Sequence, residues 1–213
     1  MPELSQEEVT ATIRATKSGS IIAAAGCGKT EQIVRTVKAI SDDPTVSKRC
    51  LILTHTFAGV DVLQKRLRGL NVPASAYRLD TIASWSLRYA KSYPKTSGIK
   101  NTNPQHNNDW SAVYPAAEKL VSSRSVDDII LATYACVFVD EYQDCSTAQH
   151  GIVLKLARDL PTRILGDPLQ GIFDFEGQAP VNWERDVAGA FRLLGRLVRL
   201  RRRLQHTPKH LGF

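Results

Sequence analysis

The sequence predicts an α/β fold: a parallel sheet with helices on both faces. Three observations carry that prediction. Short apolar runs alternate with segments of helical period along most of the 213 residues. A glycine-rich turn joins one such run, Ser20 to Ala24, to a helical pattern that starts at Lys29. Another run, Ala135 to Val139, is apolar and partly β-branched, as a strand buried on both faces requires, and it ends in Asp140-Glu141.

In chain order, Ser5 and Glu8 form a capping box that opens a helix reaching about Thr16. The strand Ser20 to Ala24 follows, then a helix with Ile33, Val34, Val37 and Ile40 on one face, closing near Ser41-Asp-Asp-Pro44. Cys50 to Leu53 reads as a second buried strand. The next helix places Val60, Leu63, Leu67 and Leu70 together, and Asn71-Val-Pro73 breaks it. Tyr77 to Leu79 is a short strand, and Asp80 or Thr81 caps a helix to about Tyr89. Residues 92–109 are rich in Pro, Gly and Asn and read as a surface excursion. A helix from Trp110 to about Ser122 and a short acidic turn lead back to the Asp140 strand. Ser146 caps a helix to Asp159, and Ile164-Leu-Gly-Asp167 is a last strand with an acid at its end. Residues 193–204 carry Leu193, Leu194, Leu197, Leu200 and Leu204 among arginines, a spacing that predicts an amphipathic helix.

Composition sets bounds. Hydrophobic content of 43% and charged content of 23% are those of a globular domain. No apolar run approaches the roughly 18 residues that cross a bilayer, and the acidic N-terminus is no signal peptide, so a cytoplasmic protein without membrane contact is expected. The net charge of +7 is uneven: residues 187–213 hold seven Lys/Arg and no acid, and the rest of the chain is neutral. That segment is either a solvated amphipathic element or a contact for a nucleic-acid backbone. Cys27, Cys50, Cys136 and Cys145 have no metal-binding or redox spacing. Cys27 stands beside Lys29 at a helix start, where a thiol pKa falls, or is a small loop residue.

The chemistry concentrates in two segments. Ala23-x4-Gly28-Lys29-Thr30 is a phosphate-binding loop with alanine in place of its usual first glycine. Its backbone N–H groups, from Ala25, Gly26, Cys27 and Gly28, face phosphate oxygens at the positive end of the following helix. Lys29 reaches the β- and γ-phosphates, and Thr30 ligates Mg²⁺. Asp140-Glu141 lies at the carboxyl end of a strand, the edge where open α/β sheets bind ligands. Asp140 there holds the metal and Glu141 polarises the attacking water. ATP with Mg²⁺ is the expected ligand. A small P-loop kinase or GTPase is the other reading of these two segments, and the lack of a base-specificity motif weighs against it.

With Thr54-His-Thr-Phe-Ala58, Asp140-Glu-Tyr-Gln-Asp144 and Gly166-Asp-Pro-Leu-Gln-Gly-Ile-Phe-Asp-Phe175 in order behind the loop, the chain resembles the first RecA-like domain of UvrD/Rep-type superfamily 1 DNA helicases over nearly its whole length. The resemblance implies a P-loop NTPase with a RecA-like parallel sheet and a short helical or loop insertion. It implies a single RecA-like ATP-binding domain over 1–213, a reduced 1B-like region at 92–133 and a basic C-terminal segment at 187–213. Gln170 then senses the γ-phosphate, and Gln6 is the candidate for the adenine-contacting glutamine. Thr54, His55, Phe57, Thr81 and Phe175 fall where the family touches single-stranded DNA, Phe175 by stacking on a base. Two positions depart from the family: Ala83 stands where histidine is usual. Leu200-Arg-Arg-Arg203 lacks the tyrosine of the fourth motif, which leaves Arg202 or Arg203 as the phosphate arginine. The family's second RecA-like domain does not follow the fourth motif in this sequence. A second such domain or a partner protein is therefore expected to complete the motor. The leucine face among the arginines is folded back, paired with a partner or exposed as an association surface, and a partner or self-association is the preferred expectation.

Overall fold

The computed structural model describes residues 6–24, 26–105, 107–171 and 180–197. Six strands form one sheet: β1 (Ser18–Ala23), β2 (Arg49–Thr54), β3 (Tyr77–Thr81), β4 (Tyr134–Val139), β5 (Thr162–Gly166) and β6 (Leu193–Leu197). Their order across the sheet is β3-β2-β4-β5-β1-β6, and every pairing is parallel. All six therefore end at one edge, where the connections to the following elements gather.

Side chains alternate across the strands, and two cores result. Leu51, Leu53, Val137, Val139 and Ile164 point to one face. There they pack with Ile82 and Trp85 of α4 (Ile82–Ser92), Ala117 and Leu120 of α7 (Val113–Ser122), and Ile152 and Val153 of α9 (Thr147–Asp159). Ile21, Cys50, Ile52, Cys136, Phe138 and Leu165 point to the other. Their partners are Ile13 of α1 (Gln6–Ala15), Ile33, Val34 and Val37 of α2 (Lys29–Ser41), and Leu63 and Leu67 of α3 (Phe57–Gly69). Burial on both faces is what a parallel sheet demands. Caps hold the helix starts: Thr56 accepts from Gly59 N, Thr81 from Ser84 N, and Ser146 with Gln149 completes a capping box.

Between α4 and β4 the chain is more ordered than its composition suggests. Pro94 begins a short helix, α5 (Pro94–Ser97), and Gly98 ends it at φ 74°. Buried Ile99 then joins Ala90, Val113 and Ala116 in a small separate core, so the excursion is only partly surface. The helix expected from Trp110 begins at Val113, as α7, and Trp110 instead closes a separate short helix, α6 (Asn107–Trp110). The acidic turn is a helix, α8 (Asp127–Thr133); Asp127 and Asp128 occupy its first turn, and Asp127 pairs with Arg158 of α9.

The clearest departure is β6. Leu193–Leu197 is a strand beside β1, where an amphipathic helix was expected. Leucines at 193, 194 and 197 fit either period, and the open edge of β1 decides between them. Ser20 N donates to Arg192 O (2.9 Å), and Gly19 leaves room for the strand: a Cβ there would stand 2.5 Å from Leu194 Cγ and 2.6 Å from Arg192 O. Leu200, Leu204 and the rest of that expected helix lie outside the described residues. Gly19→Ala should therefore lower stability by about 1–3 kcal/mol through overpacking against backbone. Chemical denaturation reads this directly, and an unchanged midpoint would show that β6 does not lie on Gly19.

The segment 180–191 packs against the turn that follows β4 and the start of α9. Val181 N donates to Cys145 O (2.9 Å). Tyr142 meets Trp183 and Phe191 edge-on and shares a 2.7 Å hydrogen bond with His150 Nδ1. Trp183 opens a single π-helical turn, Trp183–Val187, and packs where a side chain on Gly166 would be.

Candidate nucleotide site

The loop after β1 is shaped by two glycines in the left-handed region, Gly26 at φ 71° and Gly28 at φ 88°. Other residues hold that conformation at a cost, which is why glycine stands at both points. Cys27 N donates to Ala24 O, tightening the turn, and Gly28 caps α2 with no side chain over the helix end. The first N–H groups of a 13-residue helix are thus left open to a ligand. Ala25 lies outside the described residues.

Lys29 is only 6% exposed although it carries a charge. Its ammonium donates to Ala23 O (3.2 Å) and lies 3.4 Å from Glu141 Oε2. One residue on, Thr30 Oγ1 donates to Asp140 Oδ2 (2.9 Å). β5 separates the loop strand from the carboxylate strand, a gap of about 10 Å, and α2 spans it with Lys29 and Thr30. Asp140 continues β4 by donating its N–H to Leu53 O, and its Oδ1 accepts from Glu141 N. Glu141 itself adopts φ 52°, unusual for a residue with a side chain, at the head of the 3₁₀ turn Tyr142–Asp144.

Burial, with the neighbouring Glu141 second, pushes the Asp140 carboxyl up to about 6. A carboxyl raised in the folded state favours folding only while protonated. That contribution is complete below the ordinary value and is lost as pH rises through about 6. At neutral pH the site thus holds a buried negative charge at a cost. Asp144 is also raised to about 6, first by burial and then by Glu141.

Gln143 is a residue that the sequence reading left without a role. It ties the turn to the end of β5: its Nε2 donates to Glu141 Oε2 (3.0 Å) and Asp144 Oδ2 (3.3 Å), and its Oε1 accepts from Asp167 N (2.9 Å). Gln170 follows in the same turn, where its N–H donates to Asp167 O.

The residues expected to touch DNA divide. Phe57, the first residue of α3, is 73% exposed at the sheet's carboxyl edge. Thr54 and Thr81 are buried, and the Thr81 hydroxyl is engaged with Ser84 at the start of α4. β3, which carries Thr81, lies four strand spacings from β1, roughly 19 Å. The His55 ring lies against Cys145, Nε2 to Sγ 3.5 Å, and burial lowers its pKa to about 4, so it is neutral. Phe175, Arg202 and Arg203 lie outside the described residues, as does the Gln6 side chain.

The AAA_19 family model, described as an AAA domain, matches residues 6–176. The chain belongs to that family. AAA_19 domains are found in UvrD/Rep-like helicases, which makes this a helicase-like nucleotide-binding domain of the P-loop NTPase fold. Among solved structures, the chain is similar to a nuclease-deletion mutant of the Type ISP restriction-modification enzyme LlaGI in complex with a DNA substrate mimic. The identity is 12% and the TM-score 0.44, over 93% of this chain and 20% of that one. It is also similar to the signal recognition particle receptor FtsY from Elizabethkingia anophelis, at 15% identity and a TM-score of 0.25, over 80% of this chain and 68% of that one. The AAA_19 chain thus spans a fifth of the restriction enzyme's length. No curated protein matches its sequence. Among the described residues no helix is long and apolar enough to cross a membrane.

Proposed function

We propose that this AAA_19 domain binds and hydrolyses ATP as one half of a UvrD/Rep-type DNA helicase motor, with single-stranded DNA passing along its carboxyl edge. The observation that carries the proposal is the meeting of Lys29 with Glu141 and of Thr30 with Asp140 at the mouth of a glycine loop. Two hard oxygen donors, a hydroxyl and a buried carboxylate 2.9 Å apart, suit Mg²⁺. Held by Thr30 and Asp140, Mg²⁺ would supply neutralisation of the charge that develops on the phosphates. The Cys27 N–H, expected to face phosphate, is spent on Ala24 O, so the N–H groups of Gly26 and Gly28 and the start of α2 bind the phosphates, and Lys29 moves from Glu141 to the γ-phosphate. Freed of the ammonium, Glu141 accepts a hydrogen bond from the attacking water and orients it. Gln170, in the turn after β5, senses the γ-phosphate, and exposed Phe57 gives a base a face to stack on.

Leu197 of β6 stands in register with Ala23, next to the loop, and Arg199 and Arg201 to Arg203 follow it in sequence. That order supports a phosphate contact for Arg202 or Arg203. The described residues form one sheet, and a motor of this type closes two domains around ATP. A second RecA-like domain or a partner protein then completes the machine. An arginine finger contributes about 10³–10⁵ in rate, so the chain alone is expected to hydrolyse ATP slowly and not to unwind a forked duplex.

Hydrolysis measured with and without oligo(dT) tests this reading. Stimulation by the single strand is expected. Nucleotide binding with turnover indifferent to DNA would instead make the domain a nucleotide-switched binding module.

A further inference from the structure

Glu141 must hold its carboxylate still while its charged neighbour changes partners. In the structure its Oε2 is held by two groups among the described residues, the Lys29 ammonium and the Gln143 amide. On the reading above, Lys29 departs to the phosphates when ATP binds. Gln143 is then the described donor that remains.

The Gln143 amide is suited to the task. Its side chain is buried, with the residue 8% exposed. Both N–H donors are used, one toward Glu141 and one toward Asp144, and the carbonyl takes the backbone N–H of Asp167. This pattern fixes the amide's orientation, because carboxylates only accept and a backbone N–H only donates. Gly166 keeps the approach open: a Cβ there would lie 2.9 Å from Gln143 Oε1 and 2.7 Å from the Trp183 ring. The same amide therefore touches the water-orienting carboxylate at one end and the β5 turn that leads to Gln170 at the other.

We infer that Gln143 is a positioning residue, which sets the Glu141 carboxylate for hydrolysis and links its posture to the Asp167–Gln170 turn. The inference rests on the nucleotide reading. It separates Gln143 from residues that merely hold the fold: ATP binding does not need it, and turnover does.

The test is single-turnover hydrolysis with single-stranded DNA, alongside binding of a fluorescent ATP analogue, on the full chain. The variants are Gln143→Met, Gln143→Glu, Glu141→Gln and the pair Gln143→Met with Glu141→Gln. Gln143→Glu matches the native shape and keeps the acceptor for Asp167 N, so it serves if the methionine variant folds poorly. Both Gln143 variants should lose about 10- to 100-fold in rate, the cost of a misplaced catalytic group. Their nucleotide affinity should stay within about threefold of wild type, the split that marks an interaction made on the way to the transition state. The double variant should be no slower than Glu141→Gln alone, since Gln143 works through Glu141. Unchanged rates in both Gln143 variants, or losses that multiply in the double variant, overturn the inference and leave the nucleotide reading standing. Glu141→Gln turning over like wild type overturns both.

Discussion

Lys29→Ala loses ATP. Truncating one partner of a buried, hydrogen-bonded charge pair costs about 2–5 kcal/mol, roughly 30-fold to several thousand-fold in affinity. Lys29 meets the conditions for the upper part of that range. It is almost fully buried, and its ammonium is already placed by Ala23 O and Glu141 at the loop mouth. The alanine variant has no cation to offer the phosphates and leaves Glu141 facing them with its charge unbalanced. Lys29→Arg is expected to recover little, because a planar guanidinium cannot occupy the position of a compact ammonium. Titration of a fluorescent ATP analogue into both variants measures the effect. An alanine variant that binds within threefold of wild type would remove Lys29 from the site.

Arg163→Leu is expected to cost the most stability. Arg163 lies on β5, 4% exposed, and donates to Ile13 O and Arg14 O at 3.0 Å each and to Thr16 O. These are carbonyls at the end of α1, which have no partner within the helix. Its guanidinium also sits over the Phe138 ring at 5.7 Å. Leucine fills part of the space and leaves three carbonyls without their donor. Hydrogen bonds to charged groups contribute about 1.5–3 kcal/mol each, and they are not additive, so a net loss of about 3–5 kcal/mol follows. For a chain of this size that is a fall of roughly 10 °C in the thermal midpoint. Because α1 joins α2 through Thr10 and Gln32, the loss also loosens the helix behind the phosphate loop. A midpoint within 2 °C of wild type, by the same scale, would show that α1 docks without this arginine.

Much of this architecture is legible in the sequence because the signals are local. β1, β2, β4 and β5 are short, largely apolar runs that close at the alanines before the glycine loop, at a threonine, before an acid and at a glycine, and the caps at Thr81 and Ser146 are read from adjacent residues. The loop and the Asp140-Glu141 pair are legible for the same reason. What escapes depends on distant partners. Leu193–Leu197 becomes a strand because Gly19 leaves space for it at the far end of the chain. Ile99 is buried because Ala90 and Val113 close over it. Nothing around Gln143 in sequence announces Asp167 as its partner, and nothing in Thr-His-Thr-Phe predicts that His55 turns to Cys145. The residues proposed for the site can be read from the sequence; the contact between Lys29 and Glu141 needed the fold.

We propose the carboxyl edge of this sheet as a Mg²⁺-dependent ATP site built on Lys29, Thr30, Asp140 and Glu141. Fluorescence anisotropy of a labelled ATP analogue, titrated with the chain in Mg²⁺ and again in excess EDTA, tests it most directly. Saturable binding in Mg²⁺ that weakens sharply in EDTA and in Lys29→Ala is the expected result. No binding at millimolar nucleotide, or binding indifferent to both Mg²⁺ and Lys29, would contradict it.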